Sequence, residues 1–115
     1  MMQVAEEHTK FLGGEVVKII RVPGAFEIPL GVKKILNEVD GVATLGAVIE
    51  GATDHDKVIA NTIAKNLNNL SLDSGKPISL GVSGPKMTRA DALRRAESYA
   101  KRSVESVFKM IRTLK

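Results

Sequence analysis

No cysteine and no tryptophan occur in the 115 residues, and aromatic side chains make up only 3% of them. The missing cysteine excludes a disulfide framework, a thiolate nucleophile and any cysteine-based metal site. With few aromatics there are few platforms on which bases could stack, so the net charge of +4 argues weakly for nucleic acid. The basic residues are also interspersed with 13 acids, and an anionic small molecule fits such a surface equally well. No run approaches the ~20 apolar residues of a membrane helix, and MMQVAEEHTK at the start has no apolar leader core. A soluble, cytoplasmic protein that binds neither nucleic acid nor membrane is the expectation. The 43% hydrophobic content is enough for one core, so residues 1–115 read as a single domain.

The stretch GVATLGAVIEGATDHD, residues 41–56, organises the chain. Val42 to Ile49 is a nearly unbroken apolar run, which reads as a central parallel strand covered on both faces. It breaks at Glu50-Gly51-Ala52-Thr53, and a helix pattern follows from about Asp54, with Thr53 and Asp56 spaced as a capping box. A strand, a small-residue turn and a helix start together present free N–H groups and the positive end of a dipole. Phosphate is the usual occupant of such a site. His55 falls in the first helical turn beside it.

Around that centre the chain alternates helix and strand. Met2–Leu12 reads as a helix ending at Gly13-Gly14, and the β-branched stretch 15–22 as a strand. Residues 25–39 form a second helix with Ile28, Leu30, Val32, Ile35 and Leu36 as its buried stripe, Pro29 being tolerable in the first turn. A third helix covers roughly 54–70 with Val58, Ile59, Ile63, Leu67 and Leu70 inward; a polar loop over 71–76 and a strand over 77–82 follow. Ser83-Gly84-Pro85-Lys86 is a turn, and Thr88 with Asp91 makes a second capping box. The last helix carries a seam at Leu93, Ala96, Ala100, Val104, Val107, Ile111 and Leu114, roughly 30 Å long, which fits packing along the sheet alone and an added subunit contact equally well. Three strands with four helices is an odd count, because doubly wound sheets begin with a strand. A three-layer α-β-α sandwich of flavodoxin-like order is expected, with its first strand missing.

VPGAFEIPL (22–30), LGAVIEGATDHDKV (45–58), PISLGVSG (77–84) and RRAE (94–97) resemble the lumazine synthase family, in order along the chain from about Met2 to Leu114. SLGVSGPKMTRADA and AKRSVES are closer to its archaeal branch. The resemblance implies a transferase of riboflavin biosynthesis. It condenses 5-amino-6-(D-ribitylamino)uracil with 3,4-dihydroxy-2-butanone 4-phosphate, releases inorganic phosphate and water, and needs no metal or cofactor. It also implies homo-oligomers, either pentamers or sixty-subunit shells.

Position by position, the resemblance makes His55 the proton-transferring residue and places Ala52 and Thr53 in the phosphate turn. Ala25, Phe26 and Glu27 would hold the ribityl chain and pyrimidine, and Ala47, Val48 and Ile49 would contact the uracil. Leu80 stands where many members have an aromatic against the ring. Arg95 becomes the second phosphate ligand if one extra residue is allowed in the SGPKMT loop; without that gap the role falls to Arg94. Near Ser103 many members have a lysine, for which Lys101 and Arg102 are the nearest basic residues. The family's first strand and its aromatic-Asn pair have no counterpart here, as an internal start at Met1-Met2 or a trimmed chain would explain. The expected consequence is an unstable or aggregating chain of little activity, restored by ~15–20 upstream residues, because unpaired edges invite association. Two other functions remain open from the residues: a non-catalytic assembly protein of the same fold, and a module binding some other phosphorylated ligand.

Overall fold

A computed structural model describes residues 2–50 and 55–115. Helix α1 (Met2–Phe11) opens the chain. A 3-10 turn at Ala25–Glu27 leads into α2 (Ile28–Ile35), which tightens into a second 3-10 turn at Leu36–Glu38. Then come β1 (Val42–Ala43), β2 (Gly46–Ile49), α3 (His55–Ser74), β3 (Ile78–Ser79), β4 (Val82–Met87) and α4 (Arg89–Leu114). The strands are parallel, β1 with β3 and β2 with β4. On one side Ile28, Val32, Ile35 and Leu36 of α2 and its extension meet Ile63 and Leu67 of α3 over Val42 and Val48. On the other, Ala5 of α1 packs with Ala100 and Val104 of α4, joined by Leu45 and Phe108. Helices therefore cover both faces of the strands, the expected α-β-α layering in a flavodoxin-like class.

The central run departs from its expected form. It is two short strands, separated at Thr44-Leu45. Thr44 causes the break, since its side chain takes over ladder bonds: the hydroxyl donates to the Ser79 carbonyl at 2.6 Å and accepts the Gly81 N–H at 3.0 Å. Ser103 on α4 donates to the Thr44 carbonyl at 2.8 Å and shares a hydrogen bond with Ser79. The Gly81 backbone crosses so closely that a Cβ there would lie 1.9 Å from the Thr44 carbonyl oxygen. Coverage of the run is also incomplete, with Ala43 and Ile49 exposed.

Other expectations are corrected as well. Leu30 and Val58 point outward, 61% and 63% exposed, because each lies off the face its helix turns to the core. Residues 71–74 continue α3 instead of forming a loop. The Ser71 carbonyl accepts the Gly75 N–H at 2.9 Å, and its hydroxyl donates to the Lys76 carbonyl at 2.8 Å. Lys76 in turn donates to the Leu36 carbonyl at 2.7 Å, satisfying an acceptor left open at the end of the α2 segment. The third strand divides in two, and Ser83–Lys86 lies within β4 as a bulge. Leu93 and Leu114, at the ends of the α4 seam, are exposed.

Residues 15–22 form no strand and no helix. Among the described residues their backbone pairs with nothing, while β1 has a partner only on its β3 edge. Between the two lies a groove of about 640 Å³, with α1 and α4 contributing to its walls and Val16, Ile20, Val32, Val42, Val104 and Phe108 among its lining residues. A β-branched run without a neighbouring edge cannot make a ladder.

Candidate functional site

Parallel strands place all their carboxyl ends on one side, and there the helices that follow them begin. In this chain β2 and β4 end together: Ile49 pairs with Met87, and the Glu50 N–H donates to the Met87 carbonyl at 2.9 Å. His55 opens α3 shortly beyond β2, and Thr88 caps α4 directly beyond β4. The 3-10 turn Ala25–Glu27 packs against both β2 and α3. So the strand end at Ala47–Ile49, the Ala25–Glu27 turn and His55 are gathered by elements in mutual contact, with the first turns of α4 beside them.

Within this group, Val48 is buried, Ala47 half-buried and Ile49 exposed. Phe26 is 59% exposed, so it is a surface aromatic of the turn and not a core residue. His55 is exposed at the helix start. Ala52 and Thr53, assigned to the phosphate turn, lie outside the described residues, as does the Thr53 half of the first capping box. Leu80 stands apart. Gly46 pairs with Val82, so Leu80 lies level with Thr44 at the other end of β2, roughly 16 Å along the strand from Ile49. It is 54% exposed.

The second capping box is present. Thr88 Oγ1 accepts the Asp91 N–H at 3.1 Å, and hydrogen bonds from Thr88, with the Arg94 guanidinium adding to them, hold the Asp91 carboxyl below its ordinary range. Arg94 forms an ion pair with Asp91, whereas Arg95 next to it is exposed and has no ion pair among the described residues. Lys101 pairs with Glu97 at 3.5 Å along the helix surface. Ser103 is buried in the hydroxyl network and faces the strand crossing. His8 is held by Glu105 at 2.8 Å and stacks on Phe11, a packing role between α1 and α4. Asp56 had been legible only as a capping partner. The structure buries it and gives its carboxylate to the Lys86 N–H at 2.9 Å. That partner is 30 residues away, so nothing local could have announced it.

Among the described residues no group of three potential metal ligands converges, and no helix is long and apolar enough to cross a membrane. The arrangement is that of an α/β protein in which an exposed imidazole at a helix start lies among elements packed at the carboxyl ends of parallel strands. A sequence model of the 6,7-dimethyl-8-ribityllumazine synthases matches residues 1–115. The 6,7-dimethyl-8-ribityllumazine synthase of Methanothermobacter thermautotrophicus is 51% identical, over all of this chain and 84% of its own length. That of Pyrobaculum arsenaticum is 50% identical over all of this chain and 78% of its own, and that of Methanopyrus kandleri 49% over all and 82%. The chain belongs to the 6,7-dimethyl-8-ribityllumazine synthase family.

Proposed function

We propose that the chain is a cytoplasmic, single-domain transferase that joins 5-amino-6-(D-ribitylamino)uracil to 3,4-dihydroxy-2-butanone 4-phosphate, with His55 moving the protons. The carrying observation is the gathering of His55, the Ala47–Ile49 strand end and the Ala25–Glu27 turn at one end of the parallel strands. The helix start and Ala52-Thr53 receive the phosphate, where free N–H groups and the dipole favour an anion. Arg95 offers a second, forked contact to it. An imidazole, with an ordinary pKa near neutrality, can take a proton from the reacting amine and return one to a leaving oxygen. The Ala25–Glu27 turn and the backbone of 47–49 hold the ribityl chain and ring. Exposed apolar side chains at Phe26, Ile49, Leu80 and Leu93 suit burial against further copies of the chain, in a pentamer or a shell.

Steady-state turnover with the two substrates is the test. His55→Ala should slow lumazine formation by about 10²-fold or less, the low end of what one placed acid–base group contributes. An unchanged rate would remove His55 from the mechanism. No turnover above the uncatalysed rate in the parent chain would leave the non-catalytic assembly reading.

A further inference from the structure

Asp56 is the one buried ionisable side chain among the described residues, and it sits one position after His55 in the first turn of α3. Its Oδ2 accepts the Lys86 N–H at 2.9 Å. Lys86 has φ 59°, a left-handed conformation that a lysine adopts against its preference. The reason for that conformation is a bulge. Ala47 faces Ser83 and Ile49 faces Met87, so Gly84, Pro85 and Lys86 all stand opposite Val48 alone. Gly84, at φ 118°, presses on β2, and a Cβ there would lie 2.6 Å from the Val48 carbonyl oxygen. Immediately past the bulge, Met87 rejoins Glu50, Thr88 caps α4, and Arg94 and Arg95 follow in its second turn.

The bulge is thus the joint between the starts of α3 and α4, the two helix ends to which the proposed reaction assigns its phosphate contacts. One side of the joint is the start of α3 with His55; the other is the start of α4 with Arg95. We propose that Asp56 is a positioning residue that locks this joint, and so sets the spacing between the α3 and α4 contacts to the phosphate of the substrate. This rests on the reaction proposed above. Asp56 touches no substrate itself; it acts by holding the Lys86 backbone in its left-handed state. With that hydrogen bond lost, Lys86 relaxes toward negative φ and the first turn of α4 shifts against α3. Displacements near 1 Å weaken a two-point grip considerably.

The test is a set of three variants read by kinetics and by inorganic phosphate. Asp56→Ala should raise KM for the butanone phosphate about tenfold, the low end for losing a charged hydrogen bond, and weaken inhibition by inorganic phosphate equally. kcat and KM for the pyrimidine should stay within about twofold. Asp56→Asn should recover most of the loss, because its amide oxygen can accept the same N–H. Lys86→Gly combined with Asp56→Ala should also recover it, since glycine adopts positive φ without strain. A parallel rise in both KM values with a fall in kcat would overturn the proposal, as would an Asn variant no better than Ala, or no relief from Lys86→Gly. Turnover of the parent chain checks the reaction separately. If it fails, direct titration with inorganic phosphate still reads the joint, through the ratio of parent to Asp56→Ala affinity, and equal affinities would overturn it.

Discussion

Two neighbouring arginines at the start of α4 show how a single residue step separates structure from chemistry. Arg94 lies three residues after Asp91 and is drawn into the cap of its own helix. Arg95 points elsewhere on the helix surface and is exposed. Because an exposed ion pair contributes only about 0–1 kcal/mol, Arg94→Ala should leave both stability and KM nearly unchanged. Arg95→Ala should raise KM for the butanone phosphate about 10–150-fold, the equivalent of roughly 1.5–3 kcal/mol for a charged hydrogen bond, with little change for the pyrimidine. Should kinetics find Arg94 the sensitive one, the extra residue allowed in the SGPKMT loop is wrong, and the phosphate contact breaks the Asp91 pair.

At the scale of elements, α4 is the clearest case of sequence dictating structure, and its cap can be tested by pH. Thr88→Ala removes the acceptor of the Asp91 N–H and should cost about 1 kcal/mol near neutrality. Asp91 has a lowered pKa in the folded chain, so its ionised form stabilises the fold above the ordinary carboxylate value of about 4. That contribution disappears as pH falls through the lower folded value. The melting difference between parent and Thr88→Ala should therefore be full at pH 7 and narrow below about pH 4; a constant difference would show that the two side chains do not cooperate. The four helices could be read from the sequence because caps and a 3.6-residue period are local signals. The strands were legible as apolar runs but not as partners. What splits 41–49 is a Thr44 hydroxyl bonded to a carbonyl 35 residues away, and what holds the split closed is Ser103, 59 residues from Thr44. The candidate site divides in the same way. His55 and the Ala25–Glu27 turn stood out in contiguous motifs, whereas the Asp56–Lys86 contact depends on two segments meeting in space.

On the scale of the whole molecule, the groove beside β1 leads to a prediction about behaviour in solution. Its walls include the unpaired segment 15–22 and the free edge of β1, with Val17, Ile19 and Ile20 left 60%, 45% and 40% exposed. A free strand edge and an unpaired backbone run lining one apolar slot are a template for pairing with other chains. Each large aliphatic side chain left outside the core also forgoes about 1.5–3 kcal/mol of burial. The 115-residue chain should therefore melt at low temperature and sediment as a broad, concentration-dependent distribution. Ile20→Lys should narrow that distribution, since a charge inside the slot opposes an incoming apolar strand, without raising the melting temperature. A fusion of ~15–20 residues ahead of α1, designed to lay one parallel strand into the slot, should do both, because it pairs the edges and covers the apolar walls. Sedimentation and thermal unfolding of the three forms side by side decide the matter. If the unmodified chain is already cooperative and monodisperse, and neither change moves it, then 15–22 needs no strand beside it and the slot is inert.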